Sequence, residues 1–219
     1  MKLKFIAVAA LSVSLVAGQA AMGASTLTKS PDLGDYWAPL SSGGTYVYAD
    51  SFVAPTSGTV SALGTWLNGG SSQYVLEVLA DTGGFGPNGA SILAQTAVQQ
   101  GTYNGLTYVN FLTTSSASLV AGQTYWFAAS TVGLGGSGSY NTGGHTQDSQ
   151  GIVDGGTFWY SNDSAGLSFD GQNLTPEMAF TVTQGAVPEP AAWIMMLAGF
   201  GIIGAALRRR ATATTVTYS

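Results

Sequence analysis

The sequence contains no cysteine and a single histidine, His145. No disulfide can form, no thiolate can attack a substrate, and one imidazole is too few for an ordinary zinc or copper centre. Cations are nearly as scarce. Five of the six basic residues lie at the ends (Lys2, Lys4, Arg208, Arg209 and Arg210), so residues 25–186 hold Lys29 alone against ten acids. Such a body cannot neutralise a phosphate backbone, which excludes nucleic acid as a partner. Its glycine tracts are not phosphate loops either, because no Gly-Lys-Ser/Thr follows them. A Gly-x-Ser-x-Gly elbow is missing as well. His145 stands in a glycine-rich stretch beside Asp148 and Asp154, where a solvated loop histidine is the expected reading.

The remaining routes to chemistry run through carboxylates. A glycosidase needs two of them, ~5–9.5 Å apart across a cleft. Glu77 stands in an apolar run and reads as a strand residue pointing to solvent, and Glu177 opens a later run. With basic residues so few, neither is expected to find an ion pair. Calcium suits the acid surplus better than catalysis does, with Asp148, Asp154, Asp163 and Asp170 near glycine turns. No D-x-[DN]-x-[DN]-G loop is present, so these acids read as solvated. We expect no catalytic residue, no metal centre, no cofactor and no enzymatic activity.

What is present is concentrated first at the two ends. Residues 1–24 read Lys2 and Lys4, an apolar run over 5–16, then small residues, which is the layout of a secretory signal peptide. Cleavage after Ala20 or after Ala24 satisfies the small-residue rule, with Gly18-Gln19-Ala20 the better fit. The Sec translocon and signal peptidase are the implied partners. At the other end, residues 191–207 carry no charge and run straight into Arg208-Arg209-Arg210. Seventeen helical residues span ~25 Å, the short limit for a bilayer core of about 30 Å. The arginines should stay cytoplasmic with residues 211–219, leaving the body outside. Pro188-Glu189-Pro190 precedes this transmembrane helix and should be extended and accessible.

Pro188, Glu189, Pro190, Trp193, Met195, Met196, Gly199, Phe200, Gly201 and the three arginines follow one another in an order that resembles the PEP-CTERM sorting signal. The likeness is to its PEPxxWAMM subclass and covers residues 187–210. It departs from that pattern at Ile194, where alanine is usual, and in the extension past the arginines. The resemblance implies a Gram-negative cell, recognition by an integral-membrane exosortase, cleavage near the Pro-Glu-Pro, and a final place at the cell surface or outside. Sorting of this kind goes with surface and matrix proteins, so association with exopolysaccharide or biofilm is the implied role.

The body, residues 25–186, alternates short apolar or β-branched runs with turn residues. Strands are expected at 45–53, 59–67, 74–80, 92–98, 107–112, 124–130, 157–160 and 177–183. Breaks are expected at Asn68-Gly69-Gly70, Gly83-Gly84, Gly86-Pro87-Asn88-Gly89 and Asn104-Gly105. Glycine-rich 133–144 and 151–156 read as long loops. About eight strands in this length fit an all-β, two-sheet antiparallel sandwich, jelly-roll-like. Several strands are apolar on both faces, so loops should cover some outer surface. Most aromatics, among them Trp66, Trp126, Phe127 and Phe158, are expected in the core. Trp159 and Tyr160, near the long loops, are the candidate glycan contacts. The pieces Gly86-Pro87-Asn88-Gly89-Ala90 and Ala121-Gly122-Gln123-Thr124-Tyr125-Trp126-Phe127 are similar to those of choice-of-anchor domains of bacterial surface proteins. That resemblance implies a sandwich and a surface location, with no activity attached. A carbohydrate-binding module with a defined glycan site is the alternative, and an extracellular hydrolase the more distant one.

Overall fold

A computed structural model describes residues 24–32, 34–35, 40–41, 43–83, 86–145, 158–169, 171–173, 177–186 and 190–211. Residues 1–23 of the expected signal peptide lie outside the described residues, as do Pro188, Glu189, the glycine-rich stretch 151–156 and residues 212–219. The chain begins with β1 (Ser25–Lys29), β2 (Gly34–Asp35), β3 (Val47–Val53) and the 24-residue β4 (Gly58–Asp81). Next come β5 (Pro87–Thr96), β6 (Gln99–Ser115), β7 (Ser118–Leu119), β8 (Thr124–Ser130) and β9 (Gly136–His145). The last strands are β10 (Phe158–Ser161), β11 (Gly171–Asn173), β12 (Glu177–Met178) and β13 (Phe180–Ala186), before one helix, α1 (Pro190–Ala211).

Pairing between these strands is antiparallel throughout, in one connected, curled sheet. β4 is its axis. Its first half pairs with β13, β6 and β7, and its second half with β8 and β5. Between the halves Gly69 (φ 93°), Gly70 (φ 141°) and Ser71 (φ 92°) hold left-handed backbone. That conformation turns the strand without ending it. β6 and β9 grip the turn from either side, pairing with Gly69 through Tyr103 and Tyr140. A Cβ on Gly70 would collide with the Gly101 carbonyl oxygen, and one on Gly69 would sit 2.7 Å from the Ser139 carbonyl oxygen. Only glycine lets three strands approach this closely.

The curl brings the two halves face to face. Phe127 of β8 stacks on Phe180 of β13, with centroids 4.6 Å apart and planes 5° from parallel. Around them Phe52, Leu63, Leu67, Leu76, Val78 and Val182 are fully buried. Each such side chain contributes about 1.5–3 kcal/mol by leaving water. Side chains alternate across a strand, so the odd positions of β3 and of the second half of β4 face outward. There Val47, Ala49, Leu79, Trp126 and Ala128 form a second, smaller cluster, covered by Tyr46, Val132, Trp159 and Phe169. The body is therefore β-rich and consistent with a sandwich, with one outer face roofed by side chains from loops and β10.

Four expectations change. The break at Asn68-Gly69-Gly70 is a bend inside β4, because strands on both sides satisfy its backbone groups. Asn104-Gly105 likewise lies inside β6, and the loop expected at 133–144 is mostly β9, paired with β4 over Leu67–Ser72. The strand expected at 177–183 divides at Ala179, since β12 pairs with β9 while β13 pairs with β1 and β4.

Candidate functional site

The C-terminal sorting segment is built from α1. Pro190 opens the helix, where a missing N–H costs nothing. Its 22 residues span ~33 Å. Met196, Leu197, Phe200, Ile202 and Ile203 are exposed, and a Cβ on Gly199, Gly201 or Gly204 would meet nothing within 4 Å. Arg208, in the last turn, is exposed too. Among its described side chains, this helix displays apolar surface to its surroundings. Among the described residues, no helix is long and apolar enough to cross a membrane. Trp193, Met195, Arg209 and Arg210 lie on α1.

On the body, the expected glycan contacts separate. Trp159 pairs in register with Ala49 and joins the outer cluster, its ring lying against Gly86. Tyr160, one residue on, packs against the main core. Neighbours on one strand face opposite ways, so the two rings cannot form one platform.

Glu77 corrects a second expectation. It is buried, not solvent-facing, with 6 % of its surface exposed. Val75, Glu77 and Leu79 share the outer face of β4, and there they line a cavity of about 200 Å³ walled by Val47, Ile92 and Val132. Gln95 Nε2 donates to Glu77 Oε1 at 2.8 Å. Burial pushes the carboxyl from 4.5 up to about 7, and the Gln95 bond offsets only part of that rise. The pocket offers one hydrogen-bonding acid in an apolar wall.

Glu177 is elsewhere, and it overturns the expectation that neither Glu77 nor Glu177 finds an ion pair. Lys29 Nζ, 1 % exposed, donates to Glu177 Oε2 at 2.7 Å. It also donates to the Ser51 carbonyl oxygen at 3.2 Å and lies 3.5 Å from Asp50 Oδ1. Met178 N–H donates to Asp50 Oδ2 at 2.9 Å. The ammonium sits 5.4 Å from the centroid of the Phe180 ring. One cation thus stands between two buried carboxyls at one end of the core. The paired carboxyls of a glycosidase are not brought together, since Glu77 lines the outer pocket and Glu177 holds Lys29.

Among the calcium candidates, Asp163 accepts backbone hydrogen bonds from Ala165, Leu167 and Ser168. These bonds hold its carboxyl below the usual range. Asp148, Asp154 and Asp170 lie outside the described residues, and among the described residues no three His, Asp or Glu side chains cluster to hold a metal. The backbone of His145 ends β9, paired with Glu177.

Residues 186–210 match the family model of the PEP-CTERM protein-sorting motif. No curated protein and no solved structure matches the chain. The motif supports an exported protein targeted to an exosortase and destined for the surface or exterior of a Gram-negative cell.

Proposed function

We propose that this chain is a non-enzymatic surface or matrix protein, held in the inner membrane by residues 191–207 until an exosortase cuts beside Pro188-Glu189-Pro190. The sorting-motif match at 186–210 is the observation that carries the reading. The exposed apolar side chains of α1 support the membrane step, because nothing in the β body covers them. Arg208, Arg209 and Arg210 oppose entry into the bilayer core by about 2.5–3.5 kcal/mol each, which fixes orientation. Signal peptidase would remove the leader after Ala20 or Ala24, following passage through the Sec translocon. The released body, a sandwich of the jelly-roll kind over residues 25–186, would associate with exopolysaccharide without metal or cofactor. One lysine against ten acids favours a neutral polymer over an acidic one.

The motif is tested by replacing Pro188 and Glu189 with alanine. The variant should accumulate as an uncut, correctly inserted precursor, visible as a larger band in the membrane fraction. Cleavage at the parent's rate would show that the exosortase does not read this peptide. A glycan-binding module is the second reading, favoured by half-buried Trp159 packed on the cluster that walls the Glu77 pocket. Glycan-array binding lost in Trp159→Ala but kept in Tyr160→Phe would establish it.

A further inference from the structure

The Lys29–Asp50–Glu177 cluster holds more than a structural ion pair requires. One carboxylate is enough to neutralise a buried ammonium, and a second costs desolvation that the same cation cannot fully offset. The positions of the three groups match the parts of a condensation. An amine at 1 % exposure faces a carboxyl that is wholly buried, and a second acid touches the amine at 2.7 Å. A backbone N–H already points at one oxygen of the facing carboxyl.

We propose that Lys29 and Asp50 join spontaneously in an intramolecular isopeptide bond, with Glu177 as the proton carrier. Glu177 Oε2 takes a proton from the Lys29 ammonium along their hydrogen bond, leaving a neutral amine in an apolar site. Glu177 passes that proton to Asp50 Oδ1, so the Nζ lone pair attacks Cγ of a neutral carboxyl, and charge builds on Oδ2, where the Met178 N–H stabilises it. A second hydrogen from Nζ completes the water that leaves with Oδ1. The third ammonium hydrogen stays on the amide nitrogen, and Glu177 returns to its starting state. One C–N bond forms, one C–O bond breaks, one water departs, and no oxidant or second reactant is needed. Burial favours the step, because it replaces two costly charges by a neutral amide. Proximity supplies much of the rate.

The bond would tie β1, paired with β13, to β3, paired with β8 and β10. These strands belong to opposite halves of the curled sheet, so the link would lock the curl in a chain that has no cysteine to do so.

Lys29 is the only basic residue between positions 25 and 186, so trypsin has one cleavage point in the body. Protein recovered from the producing cells, denatured and digested, should stay uncut at Lys29 and weigh one water less than its termini dictate. A second protease should release a branched peptide joining Lys29 to Asp50. Lys29→Arg should restore the full mass and the cut at position 29. Glu177→Gln should lose the link or form it far more slowly. Because the unaltered protein is read after denaturation, a variant that fails to fold does not block the answer. Full mass with cleavage at Lys29 in the unaltered chain would overturn the proposal. A branch to Glu177 would overturn the assignment of Asp50 as the electrophile, and an undiminished link in Glu177→Gln would overturn the proton carrier.

Discussion

Burial raises the Glu77 carboxyl from 4.5 to about 7, so between those values the folded chain keeps a proton that the unfolded chain has lost. The contribution of Glu77 to stability is therefore greatest below pH 4.5, declines as pH rises toward 7, and levels above it. The shift corresponds to about 3 kcal/mol. Glu77→Gln should match the parent near pH 4 and exceed it by up to that amount at pH 8, in melting curves taken across the range. A variant that declines in parallel with the parent would show that another group titrates. The sequence carried a readable sign of this burial, since Val75 and Leu79 flank Glu77 on the same face of an alternating strand. The Lys29 cluster was beyond such reading. Its acid Glu177 lies 148 residues away in the chain, and only the curl of the sheet brings the two together.

At the scale of the element, β4 shows where turn chemistry misleads. Asn68-Gly69-Gly70 has the composition of a hairpin loop, but two flanking strands pair through it and convert it to a bend. Local composition could not announce those strands, because β9 is itself rich in glycine and serine. Gly70→Ala should cost about 1–3 kcal/mol or more, from positive φ together with a collision at Gly101, read as a fall in the denaturation midpoint. An unchanged midpoint would mean the bend relaxes freely. The sorting segment, in contrast, was fully legible before any fold was known. Its proline pair, apolar run and arginines act locally, and their order along the chain is itself the signal.

At the scale of the whole molecule, a β-rich body is followed by a segment that matches a protein-sorting motif. All-β character followed from period-two runs and frequent turns, whereas the single curled sheet did not, because it depends on strands that continue through glycines. Residues 25–186 expressed alone should fold as an all-β monomer. Far-ultraviolet circular dichroism with substantial helix would contradict this. Calcium at saturating concentration should leave the melting temperature of that body unmoved. A specific site at 100 times its dissociation constant would add about 2.7 kcal/mol, and a rise with calcium but not magnesium would reveal one. The most direct test of sorting is the C-terminus of the protein that producing cells release, identified by its terminal peptide and intact mass. The released chain should end within residues 187–190, with Trp193, the glycine-rich apolar run and all three arginines gone. A released chain still ending at Ser219 would contradict sorting by cleavage.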